Sequence, residues 1–403
     1  MADPAAVLVA ARDEAGRIGP TVQVLCDAFP GVEVIVADDG SQDGTAAEAE
    51  AAGARVLRLR HGGKGYALTL AERAAPEGRL LLCDADLKGD LRPLVESGAD
   101  LAIAAFAEKQ GGGFGIVKRT ARALIRLASG LETREPISGQ RSLSPAAREA
   151  TFPLTPGFAG CEARMTVDAV RAGLTVAEVE LDLRHRATGR DLSGFVHRGK
   201  QLVHLLLAFG PLATNYGGRR LPLVGWVVGI AHPRVAPVAA IGLLDDLYGG
   251  SERGFAAHLR AGNTTGVLKL VGIPLAGLLA TRKISGALLV GLSANFLNQL
   301  DTRPGRALKA YLAGALVVGA PTRGAVFLLP YDLREKVMLG DAGSNALGAM
   351  LGLSSVSRFT GRSRWLAIGA LAGLTLLGER RSLGDLIERT PGLRTLDRLG
   401  RQA

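Results

Sequence analysis

Three short apolar runs, at residues 7–11, 32–37 and 80–83, each lead straight into acidic residues, and helix-like stretches at 18–29, 45–52 and 65–74 fall between them. Alternation of this kind predicts a parallel sheet with crossover helices. Ligands of such sheets collect at the carboxyl ends of the strands, and the polar residues gather there. The first run ends in Arg12-Asp13-Glu14-Ala15. The second ends in Asp38-Asp39-Gly40-Ser41-Gln42-Asp43-Gly44-Thr45, and the third in Asp84-Ala85-Asp86-Leu87.

Asp84 and Asp86 stand one residue apart just past a buried strand. A turn there either is solvated or aims both carboxylates at one divalent cation, which in turn neutralises a nucleotide diphosphate. Asp38 and Asp39 have a similar double reading, since an Asp or Ser before Thr45 also caps a helix. His61-Gly62-Gly63-Lys64-Gly65 is either a flexible turn or a loop bringing backbone N–H groups and a lysine to a phosphate. The order and spacing of the three motifs together favour the chemical readings. The sequence enters its first strand with no charged-then-apolar leader, so an unprocessed, cytosolic N-terminal half is expected.

At 403 residues the chain exceeds what one core organises, which predicts two domains. Charged and apolar residues mix up to about residue 199; beyond it come apolar blocks at 202–213, 221–244, 267–280, 284–297, 310–329, 346–356 and 365–377. A net charge of +10 raises the possibility of nucleic acid, but only 4% of residues are aromatic and no RNA-binding signature is visible, so none is expected as a partner. Much of the positive excess flanks the apolar blocks, as at Arg282 and Lys283, Arg358, Arg362 and Arg364, or Arg380 and Arg381. That placement suits anionic lipid headgroups. The basic stretch from Arg184 to Lys200, directly before an apolar run, reads as a lipid-phosphate contact or a solvated linker. Cys26, Cys83 and Cys161 have no paired spacing and read as core thiols in a reducing compartment.

The three motifs, with Ala11-Arg12-Asp13-Glu14-Ala15 and Ser138-Gly139-Gln140-Arg141-Ser142-Leu143, resemble family 2 glycosyltransferases of the GT-A fold, and within them the polyprenyl-phosphate sugar synthases. The resemblance covers about the first 200 residues. It implies an α/β, Rossmann-like and mostly parallel sheet. It also implies that Asp13, Asp38 and Asp39 serve the base and ribose of a UDP- or GDP-sugar, and that Asp84 and Asp86 serve Mg²⁺ or Mn²⁺ and the diphosphate. Lys64 and Arg141 would lie near the phosphates or acceptor, and Glu162 would act as a base or orient the acceptor. A soluble nucleotidyltransferase would need a glycine-rich basic loop after the first strand, where Arg12-Asp13-Glu14-Ala15 stands instead.

In the second half, polar residues inside apolar blocks are functional candidates. They cluster as Asp245-Asp246, as Asn295, Asn298, Gln299 and Asp301, and as Asp341-Ala342-Gly343-Ser344-Asn345. These resemble the motifs of the polyprenyl-phosphate N-acetylhexosamine-1-phosphate transferases, the superfamily of the phospho-N-acetylmuramoyl-pentapeptide transferase. Asn215-Tyr216-Gly217-Gly218-Arg219 resembles that family's first cytoplasmic loop. The resemblance implies an all-α polytopic membrane domain in which Asp245, Asp246 and Asp341 hold magnesium, with Asn298 and Asp301 nearby. Pairing the blocks as hairpins keeps every acid motif on one face. Most blocks are nevertheless shorter than the roughly 20 residues that span a bilayer, the 221–244 block is broken at His232-Pro233-Arg234, and the family's histidine-rich loop is absent.

The expected organisation is a glycosyltransferase domain at 1–200, an interfacial or re-entrant linker at 201–220, a membrane domain at 221–380 and a basic cytosolic tail at 381–403. The expected function is transfer of a sugar from a nucleotide to polyprenyl phosphate, or to a polyprenyl-linked sugar, in cell-envelope glycan synthesis. It would take place at the cytoplasmic membrane, with the first domain facing the cytosol. The second half either transfers a sugar-phosphate to the lipid or binds the lipid without chemistry.

Overall fold

The computed structural model describes residues 3–87, 89–106, 115–155, 159–183, 192–249 and 264–401. The chain divides into two compact units, Met1–Gly210 with Gly218–Arg220, and Pro211–Gly217 with Leu221–Ala403. The stretch from Arg184 to Asp191, expected to meet lipid phosphate, lies outside the described residues.

In the first unit the elements run β1 (Ala6–Ala11), α1 (Ile18–Ala28), β2 (Glu33–Asp38), α2 (Thr45–Ala51), β3 (Arg55–Arg58), α3 (Lys64–Ala74), β4 (Leu80–Asp84), α4 (Arg92–Glu96), β5 (Leu101–Phe106), α5 (Ile116–Ser129), β6 (Arg141–Leu143), α6 (Pro145–Thr151), α7 (Ala159–Arg171), β7 (Val176–Leu181) and α8 (Leu192–Phe209). Seven strands form one sheet in the order β3-β2-β1-β4-β6-β5-β7. The pairs β1–β2, β1–β4, β2–β3 and β5–β7 are parallel, and only β6 runs against its neighbours.

Strand alternation divides the core between two faces. Val7, Val9, Val34, Val36, Leu81 and Cys83 point to one side, where α1 covers them with Ile18, Val22 and Leu25. Leu8, Ile35, Leu80 and Leu82 point to the other, under Ala67, Leu68 and Ala71 of α3 and Met165 of α7. Both faces are covered, so the central strands read as continuous apolar runs, and their only polar outlets are the strand ends. The helix α8, whose second half falls in the 201–220 stretch expected as an interfacial linker, packs against α5 and α7 through the fully buried Leu205. It leaves Val203 and Leu206 exposed.

The segment between the units carries a two-stranded sheet of β8 (Leu212–Thr214) and β9 (Arg220–Pro222). The second unit is otherwise helical. Its helices are α9 (Gly225–Ile230), α10 (Ala236–Tyr248), α11 (Thr264–Thr281), α12 (Ile284–Leu300), α13 (Arg306–Val318), α14 (Arg323–Leu333), α15 (Gly340–Arg358), α16 (Gly361–Arg380), α17 (Leu383–Arg389) and α18 (Pro391–Arg398). Breaks fall where the sequence places them, at His232-Pro233-Arg234 and at Arg282-Lys283, and the 310–329 block is divided at Gly319. The α15 helix is buried along most of its length and packs closely on α12, since a Cβ on Gly348 would stand 2.4 Å from the Ala294 Cα and one on Gly352 2.6 Å from the Val290 Cα. Among the described residues no helix is long and apolar enough to cross a membrane, so the polytopic architecture expected from the sequence is not what these helices display individually.

Candidate functional site

The loops after β1 and β2 are laced into one rim. Asp13 adopts a positive φ of 55°. Its backbone N–H donates to Ser41 Oγ at 3.0 Å, while its Oδ1 accepts from the Gln42 N–H at 2.9 Å. Glu14 N–H donates to Thr45 Oγ1 at 2.8 Å, and Asp38 Oδ1 accepts from the Ser41 N–H at 3.0 Å. Asp39 is buried and accepts from the backbone of Gly62 at 2.7 Å and Gly63 at 3.0 Å, and it bonds His61 Nδ1 at 2.8 Å. Arg12 Nη1 approaches His61 Nε2 at 2.7 Å, so Nδ1 is the ring nitrogen that donates to Asp39. The carboxylates of Asp38 and Asp39 are therefore spent on shaping the loops. Asp13, about half exposed, keeps a face toward solvent.

The centre of the rim is Lys64, the first residue of α3. Its ammonium donates to Asp84 Oδ1 at 2.6 Å and to Glu162 Oε1 at 2.7 Å. Burial works against this charge, but Asp84 and Glu162 outweigh it and hold the Lys64 pKa well above the usual lysine value. Gln140 Nε2 donates to Asp84 Oδ2 at 3.1 Å, and Gly139 is required beside it because a Cβ there would fall 2.3 Å from the same oxygen. Glu162 is nearly buried and lies 3.0 Å from Cys161 Sγ. Asp86 stands two residues past Asp84, half-buried at the same strand end.

One expected site residue lies behind this group, with its charge within reach of Glu162 and Asp84. Arg141 has no exposed surface; it donates to Ser138 O at 2.8 Å, Thr166 Oγ1 at 2.9 Å and Pro136 O at 3.3 Å. It opens β6, in the middle of the sheet, and its guanidinium secures the 136–140 loop that presents Gln140 rather than meeting a phosphate. Burial draws its pKa down to about 10. Sequence reasoning did not single out Gln140, His61 or Arg12, although each sits inside or beside a motif that it did.

A second cluster lies within the second unit. Asp246, near the end of α10, accepts the backbone N–H groups of Asp341 and Ala342, both at 2.8 Å. Asn298 of α12 donates to Asp341 Oδ1 at 2.9 Å. Lys269 of α11 donates to Asp245 Oδ2 at 2.7 Å and also to Asp341. Asp301 follows directly on α12. Asp245, Asp246, Asn298 and Asp341 thus come together, and the residue the motifs omitted is Lys269. Its signal was available, as a lone charge inside an 18-residue helix of otherwise apolar and small residues.

Among the described residues no group of three or more His, Cys, Asp or Glu stands close enough to hold a metal ion. In each cluster a lysine ammonium takes the place between carboxylates expected for a cation. The donor chemistry still fits one: both sets are oxygen ligands suited to a hard divalent ion, and Asp245 Oδ1 is buried without a hydrogen-bond partner.

Comparison with known proteins bears on the first unit. Glycosyltransferase AglJ of Haloferax volcanii is 28% identical over 243 residues, which are 52% of this chain and 79% of that protein. Glucosyl-3-phosphoglycerate synthase from Mycobacterium tuberculosis, solved with phosphoglyceric acid, is 26% identical, with 51% of this chain and 78% of that chain covered and a TM-score of 0.42. The same enzyme solved with Mg²⁺ and uridine diphosphate is 25% identical at the same coverage, with a TM-score of 0.43. Residues 6–153 match the model of Glycosyl transferase family 2, and with the strand-end motifs in order on a mostly parallel α/β sheet, they are a family 2 glycosyltransferase domain.

Proposed function

We propose that this glycosyltransferase moves a sugar from a UDP- or GDP-sugar to polyprenyl phosphate, or to a polyprenyl-linked sugar, at the inner face of the cytoplasmic membrane. The observation that carries the site assignment is Lys64 held between Asp84 and Glu162 at the strand ends. In this reading an acceptor oxygen attacks the anomeric carbon, the bond from that carbon to the phosphate oxygen breaks, and the nucleoside diphosphate leaves. Asp84 and Asp86 would hold Mg²⁺ or Mn²⁺, which when bound neutralises charge on the departing diphosphate. Lys64 stabilises the same charge from the protein side. Asp13 meets the base or ribose, while Asp38 and Asp39 fix the loops that frame it. A phosphate acceptor needs little deprotonation at neutral pH, so Glu162 acts chiefly by placing Lys64 and the acceptor.

The second unit is assigned to the lipid. Its hairpin turns carry large exposed side chains, Leu279 and Ile284, Leu316 and Val317, and Trp365 and Leu366, flanked by Arg282, Lys283 and Arg364. Asp245, Asp246, Asn298, Asp301 and Asp341 would receive the lipid phosphate with its cation, as in the polyprenyl-phosphate sugar-1-phosphate transferases they resemble. A second reading, in which this unit binds lipid without chemistry, is favoured by Lys269, whose ammonium already bridges Asp245 and Asp341.

The test is nucleotide release by purified full chain from a panel of UDP- and GDP-sugars with undecaprenyl phosphate and Mg²⁺. Nucleoside diphosphate release that disappears in Asp86→Ala and survives in Asp341→Ala supports the transferase with a presenting platform. Release of UMP that disappears in Asp341→Ala supports a working phosphotransferase in the second unit. Lipid binding with neither product would sink the acceptor assignment.

A further inference from the structure

We infer that the last described helix, α18, is a docking surface for anionic lipid headgroups; this rests on the membrane reading above and adds a contact that reading does not contain. A helix on a folded unit normally turns its leucines inward and its charges outward. This one is seated the other way. Asp397 is buried, and its carboxylate accepts from Arg306 Nε at 3.0 Å and Nη2 at 2.9 Å and also bonds Arg401. Lys309 donates to the carbonyls of Leu396 at 3.0 Å, Asp397 at 2.7 Å and Leu399 at 2.7 Å, the groups that a helix end leaves without partners. Polar contacts to α13 therefore fix the helix, and its leucines are left out. Leu396 and Leu399 are 63% and 67% exposed and Leu393 46%. Leu396 stands out from the helix, Leu399 follows just past its end and Leu393 lies one turn earlier, so the three flank one exposed strip of this segment.

The charge on this segment identifies the occupant. Arg389, Arg394 and Arg398 are all exposed, and Asp397, the one acidic residue between positions 389 and 401, is neutralised by two guanidiniums. Leucines beside unpaired arginines match a bilayer surface, with the stripe at the acyl boundary and the guanidiniums among phosphates. A second copy of this helix would set arginines against arginines. The anchoring helix α13 starts five residues after Asp301, which places the surface at the acid-motif end of the unit, where the proposed lipid phosphate arrives.

The experiment uses full chain carrying Cys26→Ser and Leu396→Cys, the new thiol labelled with an environment-sensitive fluorophore. It is mixed with phosphatidylcholine vesicles, with or without about 30 mol% phosphatidylglycerol. Flotation reports separately whether the protein joins the vesicles. The expected result is a blue shift and protection from an aqueous quencher that depend on the anionic lipid. The triple variant Arg389→Gln, Arg394→Gln and Arg398→Gln should weaken that response roughly 100-fold at unchanged flotation. Flotation with the probe still aqueous on both vesicles would overturn the inference and leave the membrane reading standing. A probe already shielded before lipid is added would also overturn it, since protein would then cover the stripe. Absence of flotation would remove the membrane reading and this inference together.

Discussion

Lys64 is the residue on which the first unit's chemistry and its stability meet. Two carboxylates, Asp84 and Glu162, approach the same ammonium, whose side chain is only 14% exposed. Replacing it in Lys64→Met leaves the buried Glu162 and the one-third-exposed Asp84 without their cation, at a cost of about 3 kcal/mol. Chemical denaturation of the parent and variant measures that loss. The double variant Lys64→Met, Glu162→Gln should recover most of the stability and none of the transfer activity, because the buried carboxylate left without its cation is gone while the phosphate-facing charge is still missing. Equal stability of Lys64→Met and parent would show that the ammonium is not holding the cluster. The pH dependence has a definite sign. Because the folded pKa lies above the unfolded one, the lysine's contribution is fully present below the ordinary lysine pKa and fades only as pH climbs past the raised value. Lys64 therefore contributes no alkaline limb to the activity profile between about pH 6 and pH 9.

Packing between elements makes different demands. The Gly348-Ala349-Met350-Leu351-Gly352 turn of α15 lies flat on α12, at distances that leave no room for a methyl group. Gly348→Ala or Gly352→Ala must push two helix backbones apart, which costs about 1–3 kcal/mol. Gly369 of α16 has open space for 4 Å around the place a methyl group would take. Gly369→Ala should be neutral or raise stability by about 0.5–1 kcal/mol through helix propensity alone. Thermal melting of the three variants in detergent separates the cases, and similar losses at all three positions would refute the close-packed α12–α15 seam. This seam was not legible from residue types, since a Gly-xxx-Gly spacing occurs on exposed faces too. The strands β1, β2 and β4 were legible to within a residue or two, because burial on both faces makes them continuous apolar runs ended by acids. The strand β5, Leu-Ala-Ile-Ala-Ala-Phe, was not, because alanine-rich segments suit helix and strand alike. The three-residue β6 was shorter than any periodic signal, and the same shortness hid the inward turn of Arg141.

For the whole molecule, helix length and apolar surface pull in opposite directions. At 1.5 Å per residue, the 13-residue α13 reaches only about 20 Å and the 17-residue α12 about 26 Å, against a hydrocarbon core of about 30 Å. The 18 to 20 residues of α11, α15 and α16 reach about 27–30 Å, so length argues against simple crossings only for the shorter helices. Yet among the described residues exposed Leu, Ile, Val and Trp side chains gather at the turns near 279–284, 316–317 and 365–366 of the second unit, and monomeric soluble proteins rarely gather such surface without a partner for it. Tilt, local thinning of the bilayer or basic side chains reaching to headgroups accommodates short helices at modest cost, whereas water against that apolar surface has no comparable remedy. The side chains therefore decide the expectation over the lengths. The full chain, expressed in a bacterial host, should sediment with membranes, resist extraction by high salt and by alkaline carbonate, and dissolve in detergent. Salt extraction alone would reduce the basic residues to an electrostatic tether. Release by carbonate would mean that the helices rest on the bilayer surface, and the hairpins would then have to be redrawn as lying in its plane.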